Sequence, residues 1–321
     1  MPSLHRARRS LLVIALLGAA ACGAEPAHDE APAASAQQAA ATTVTDRAFD
    51  VLAAGRAPQL GQVLSELDAE AKARESGYAY FYGGAFRIWA IVNSSSLTDM
   101  LALPTHIQEG LARLERGHEL LPNDFRATSF LAMGQLIIGN TLGDAALVDA
   151  GLRTFEVGLA QMPAYGHYLR AVAQSGTARD SALFKRSIED MRAVMRECDY
   201  PTGAVPYSYV YPVDGEDARR PHVCLNDGIV PHVWEGVFAT YGDIMLKAGD
   251  VAAGRALYES AKSAPNYASW PYRAALEERL QTADKRSAQY TDRNALNDPV
   301  MWTAGPMTCV GCHQTGGTPV R

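Results

Sequence analysis

The sequence predicts an all-α chain, and three observations carry that prediction. Apolar residues recur at helical spacing over long windows, as in residues 60–73 and 79–92. A small, large-apolar, small pattern returns along the chain, closed by Pro. No stretch shows the sustained apolar/polar alternation of a half-buried strand. Helices joined by turns, with no strands to cover, bury their stripes against one another as a bundle or solenoid. Of the 321 residues 48% are hydrophobic and 20% charged, enough core for one large or two ordinary domains.

In chain order, the first feature is a leader. His5, Arg6, Arg8 and Arg9 form a positive start, residues 11–17 an apolar run, and Gly18-Ala19-Ala20-Ala21 a small-residue cleavage zone. The apolar run is too short to span a hydrocarbon layer of about 30 Å. Residues 1–21 are therefore expected to be a signal peptide. Removing its three arginines takes the formal net charge from -6 to -9. That acidity excludes nucleic acid as a partner, because phosphate contacts need clustered Lys and Arg. Cys22 directly follows the small residues and resembles the lipobox of bacterial lipoproteins, with Ala19 where that family prefers Leu. The resemblance implies that Cys22 is lipidated and tethers an exported protein facing the periplasm, at the outer membrane ahead of the inner. An ordinary signal peptide cut nearby, leaving Cys22 an unpaired thiol, is the competing reading. Residues 22–44 are Ala-rich without apolar periodicity, a flexible tether.

Residues 45–296 read as a helical-repeat domain. Thr45-Asp46 can cap a short helix reaching residue 54, and 60–73 forms a second. Residues 79–92 carry Tyr80, Phe81, Tyr82, Phe86 and Trp89, a core stripe, ended by Asn93-Ser94-Ser95-Ser96. Gly110, Leu114, Gly117 and Pro122 return forty-one residues later as Gly151, Phe155, Gly158 and Pro163. Gly254, Tyr258, Ala261 and Pro265 make a third copy. The small residues admit a neighbouring helix, the large one fills the groove, and Pro ends the helix. The excess spacing of the first two copies suggests an insert around residues 140–149. Residues 181–197 form another amphipathic helix, with Leu183, Ile188, Met191 and Met195 inward. The three copies, with Gly242 and Gly249-Asp250 ahead of the last, resemble tetratricopeptide repeats. The resemblance covers about half the chain and implies a solenoid that docks a protein or peptide.

Residues 197–234 interrupt the helical rhythm with five Pro and four Tyr, an irregular insert. Cys198 and Cys224 bracket much of it and are natural disulfide partners in an oxidising compartment. Such a bond would restrict the unfolded chain by about 3.5 kcal/mol. Two buried free thiols are the alternative.

The tail, residues 297–321, ends in Cys309-Val310-Gly311-Cys312-His313. Cys-x-x-Cys-His is the spacing of covalent haem attachment, in which two thiols add to the porphyrin vinyls and the adjacent imidazole binds iron. Here the chain resembles c-type cytochromes. The resemblance implies one haem c held by thioethers from Cys309 and Cys312, with His313 as its axial iron ligand. The departure is that only eight residues follow His313, so no cytochrome c fold can be built after the motif. The haem must pack on the helical domain or lie exposed. His222 and His232 flank the insert and are the candidates for the opposite face of the iron. A zinc site or a structural disulfide remains open for the two C-terminal cysteines. The expected function is periplasmic electron transfer with a protein redox or docking partner, a binding role ahead of catalysis. Peroxidase-like chemistry at an open iron is a third class. An adaptor lipoprotein whose terminal cysteines are only structural is the main competitor.

Overall fold

The computed structural model describes residues 44, 47, 57–92, 97–198, 233–264, 267–291, 298–299 and 301–302. In chain order the described helices are α1 (Ala57–Arg74), α2 (Gly77–Val92), α3 (Leu97–Leu120), α4 (Phe125–Leu142), α5 (Ala145–Gln161) and α6 (Pro163–Ser175). They continue with α7 (Ala182–Glu197), α8 (Val233–Ala248), α9 (Val251–Lys262), α10 (Arg273–Gln281) and α11 (Ala283–Thr291). Among the described residues there is no strand, as the patterning requires. No described helix is long and apolar enough to cross a membrane.

Side chains set the helix starts. Asp124, Asp144, Ser181 and Asp250 stand just before α4, α5, α7 and α9, and each accepts hydrogen bonds from first-turn amides. Pro163 opens α6, where its missing N–H is no loss. The proline expected to stop one helix thus starts the next.

The helices pair as sequential hairpins, α2 with α3, α4 with α5, α6 with α7 and α8 with α9. The repeated small residues are where each pair closes. A Cβ on Gly117 would lie 2.8 Å from the Phe81 amide nitrogen, and one on Gly151 would lie 2.7 Å from that of Leu136. A Cβ on Gly254 would meet Leu246 at 2.7 Å. The large residues between the small ones, Leu114, Phe155 and Tyr258, are all fully buried. Each such side chain contributes about 1.5–3 kcal/mol by leaving water. The repeat is a packing code.

Neighbouring hairpins stack in register. Tyr168 Oη lies 3.5 Å from Thr240 Oγ1, and Lys247 Nζ donates to the Ser175 carbonyl at 2.8 Å. Both pairs are separated by 72 residues, so α6 and α8 run parallel. The chain is an all-α stack of helical hairpins.

One expectation is corrected and one extended. Residues 140–149 contain no insert: α4 continues to Leu142, Gly143 turns with φ 71°, and Asp144 caps α5. The extra spacing is taken up by helix length, since α3 has 24 residues and α4 has 18. On α7 the fully buried seam is Phe184, Ser187, Met191 and Val194, with Asp190 beside it. Met191 is part of that seam, and Leu183, Ile188 and Met195, partly buried, pack against the core beside it, so the expected inner face holds. Hydrophobicity alone could not assign inward positions to Ser187 and Asp190.

Candidate functional site

Of the residues singled out by sequence, Cys22, His222, Cys224, His232, Cys309, Cys312 and His313 lie outside the described residues, as does all but Arg47, which is helical, of the helix expected up to residue 54. Cys198 is described. It closes the C-terminus of α7, its amide bonding the Val194 carbonyl, and it is buried in the core and disulfide-bonded. Its expected partner Cys224 is not among the described residues, so the pairing stays an expectation. Among the described residues no group of three or more His, Cys, Asp or Glu could hold a metal ion.

Of the tail, residues 298–299 and 301–302 are described, and they lie against the helices as a strap. Tyr290 Oη on α11 donates to the Pro299 carbonyl at 3.0 Å. Met301 and Trp302 are buried. The Trp302 indole packs against Trp270 at 5.2 Å and edge-on to Tyr272 at 6.2 Å, with the Arg279 guanidinium 4.9 Å over its ring. Its backbone amide donates to the Asp243 carboxylate.

Asp243 is the hub beneath the strap. It has no exposed surface, and its oxygens meet the Tyr258 hydroxyl, Arg279 Nε at 3.4 Å and Arg286 Nη2 at 3.6 Å. A buried carboxylate needs such company, because an unpaired one would cost several kcal/mol. The reciprocal effects are consistent. Burial and the neighbouring Asp243 charge push the Tyr258 phenol well above its ordinary pKa. For Arg286 burial opposes the charge, yet Asp243 more than offsets it and the pKa rises. Lys247, one turn along α8, is pulled down to about 8 by burial, with the Asp298 charge acting the other way. Its ammonium lies 5.1 Å from the Phe184 ring centre.

A second polar cluster lies between α5, α6 and α7. Arg170 grips Asp190 with two bonds, Nε to Oδ2 at 2.9 Å and Nη2 to Oδ1 at 2.7 Å. Its third nitrogen, Nη1, reaches Glu156 at 2.8 Å. His167 Nδ1 also lies 2.8 Å from Asp190 Oδ1. Asp190 is buried, whereas the His167 side chain keeps 21% exposure. Among the described residues Nε2 of His167 has no hydrogen-bond partner and is not a buried orphan atom. A buried, arginine-clamped carboxylate thus fixes an imidazole by one nitrogen and leaves the other to solvent.

Sequence reasoning missed both clusters. The available signals were His167 and Arg170 three residues apart on one helix face, Asp190 within an amphipathic helix and Asp243 within an apolar one. Neither signal names a partner, because the contacts join helices 14 to 59 residues apart. Comparison with protein-family models, with curated proteins and with solved structures returned no match.

Proposed function

We propose that this is a lipid-anchored, exported c-type haem protein acting in electron transfer, with a tetratricopeptide-like helical domain that docks its partner. The observation that carries the reading is Cys309-x-x-Cys312-His313, an order of residues that suits porphyrin attachment. Cys309 and Cys312 hold the macrocycle, and His313 lies against the iron. A covalently held haem supplies a one-electron couple whose potential is tuned by its axial ligands and surroundings.

The helical domain supports this reading through its strap. Buried Trp302 is seven residues before Cys309. Seven residues at full extension span about 24 Å, so the motif cannot wander far from the α8–α11 end. The donors that the sequence offers are the right kind, two thiols and an imidazole. Leader, Cys22 and tether would keep this domain outside the cytoplasm, where such attachment occurs.

Protein matured in a host competent for c-type haem attachment should give a c-type pyridine haemochrome. The spectrum should vanish in the double variant Cys309→Ala/Cys312→Ala. A colourless wild-type protein contradicts the proposal. The parallel packing of α6 and α8 favours one second reading, an adaptor whose stacked hairpins bind a peptide or protein. That reading requires partner binding to survive deletion of residues 305–321.

A further inference from the structure

We infer that the slot between α8, α10 and α11 is a peptide-recognition site, that residues 298–302 are its resident ligand in cis, and that its partner in trans is a protein segment of the same chemistry: an acidic residue, a Pro directly after it and a Trp three residues on. This rests on the docking half of the reading above, for which it names the surface and what the partner brings, and it does not depend on the haem.

The slot holds the strap as a receptor holds a peptide, by one large side chain and by fixed points on the backbone. Trp302 is the anchor, enclosed by Trp270, Tyr272 and the Arg279 guanidinium at the distances given above. A buried aromatic against aromatics and arginine is the usual chemistry of a binding hot spot. Two helix side chains read the backbone in register. Tyr290 Oη donates to the Pro299 carbonyl at 3.0 Å, and the Asp243 carboxylate accepts from the Trp302 amide three residues later. A third point is electrostatic. Burial lowers the Lys247 pKa and the Asp298 charge raises it, so an acidic residue four positions before the Trp suits that end of the slot.

The strap can leave without wrecking the slot. Asp243 keeps the Tyr258 hydroxyl, Arg279 and Arg286 when the Trp302 amide goes, so no buried charge is orphaned. Pro299 has no N–H to satisfy. Its ring also fixes φ and restrains Asp298 before it, so such a segment loses little freedom on docking. Six residues, 292–297, separate the end of α11 at Thr291 from Asp298. A link that short raises the local concentration of the strap to about the millimolar range. The resident segment therefore excludes weak ligands and yields only to one that matches its chemistry.

The test uses the full-length chain, wild type and Trp302→Ala, with a fluorescent peptide of residues 297–303 as the probe. Circular dichroism comes first, then anisotropy. Trp302→Ala should keep the wild-type helical signal and bind the peptide. The wild type, its slot already filled, should bind it at least about tenfold more weakly, and Trp302→Phe should fall between the two. The peptide carrying Trp302→Ala should not bind. Adding Tyr272→Ala to the Trp302→Ala chain should weaken peptide binding by at least about tenfold. A folded Trp302→Ala chain that ignores the peptide overturns the inference, as does a wild type that binds it equally well. So does a Trp302→Ala chain that loses its helical signal, because the strap is then core and not ligand. A wild-type dimer that the peptide splits overturns the choice of partner, since the occupant is then the tail of a second copy. Haem content of the same samples is a separate readout: its absence removes the attachment reading and leaves the peptide result standing.

Discussion

The chain buries two carboxylates beside arginine, and they end in opposite ways. Asp243 is enclosed on all sides by Tyr258, Arg279, Arg286 and the Trp302 amide. Asp190 is equally buried, yet one of its partners is a half-open imidazole. The first arrangement closes a structure: every contact ends inside, and the tail is held. The second leaves an imidazole at the protein surface. Burial of a charge therefore does not distinguish a closed network from an open one. What distinguishes them is whether the last group in the network meets solvent.

That contrast can be broken first at the hub. Asp243→Ala leaves Arg279 and Arg286 buried without their counter-charge and should destabilise the fold by about 3–5 kcal/mol. Trp302→Ala, which empties the aromatic slot, should cost about 3–5 kcal/mol at most and less where the tail simply lifts off. Urea unfolding measures both, and limited proteolysis should show the tail released in each. Asp190→Asn should cost less in stability than Asp243→Ala. An equal loss at both positions would erase the distinction drawn here.

The pH dependence gives a finer test. Lys247 has its pKa lowered from 10.5 to about 8. Below about pH 8 the lysine is charged in folded and unfolded chains alike, and its burial penalty is fully present. Between about 8 and 10.5 only the unfolded chain holds the proton, so stability rises with pH by about 3 kcal/mol in total. Above pH 10 the buried Tyr258 and Tyr290, whose pKa values are raised by burial and by Asp243, pull the other way. In those groups the folded chain keeps protons that the unfolded chain loses. Lys247→Met should abolish the rise between pH 8 and 10 and leave the later fall. Denaturant midpoints across that range read it directly.

The smallest effect concerns Gln174 on α6, whose side-chain amide is fully buried with neither nitrogen nor oxygen hydrogen-bonded. Gln174→Met keeps the volume and removes the orphan polar atoms, so it should stabilise the fold by about 1 kcal/mol. A loss of stability would mean that the amide is satisfied in solution.

The fold was largely legible, because it is written in short-range rules. The spacing of Gly151, Phe155 and Gly158 marked a close-packed helix, and Ser181 opened another. The hub and the His167 network were not legible. Their members are ordinary polar residues on amphipathic helices, and only tertiary stacking decides that Asp190 faces inward while Glu189 faces out. The residues 140–149 misled for a related reason. Repeat spacing constrains where helices meet, and it is silent on whether added length lies in a loop or in the helices themselves. The Cys309-x-x-Cys312-His313 spacing, by contrast, was readable at once because it is local in sequence.

The most direct measurement of the central claim is the intact mass of the exported, matured C-terminal peptide. The account predicts the peptide mass plus one haem, covalently retained after acid extraction and absent from Cys309→Ala/Cys312→Ala. A wild-type peptide at its bare mass, from cells that load other c-type proteins, would contradict it.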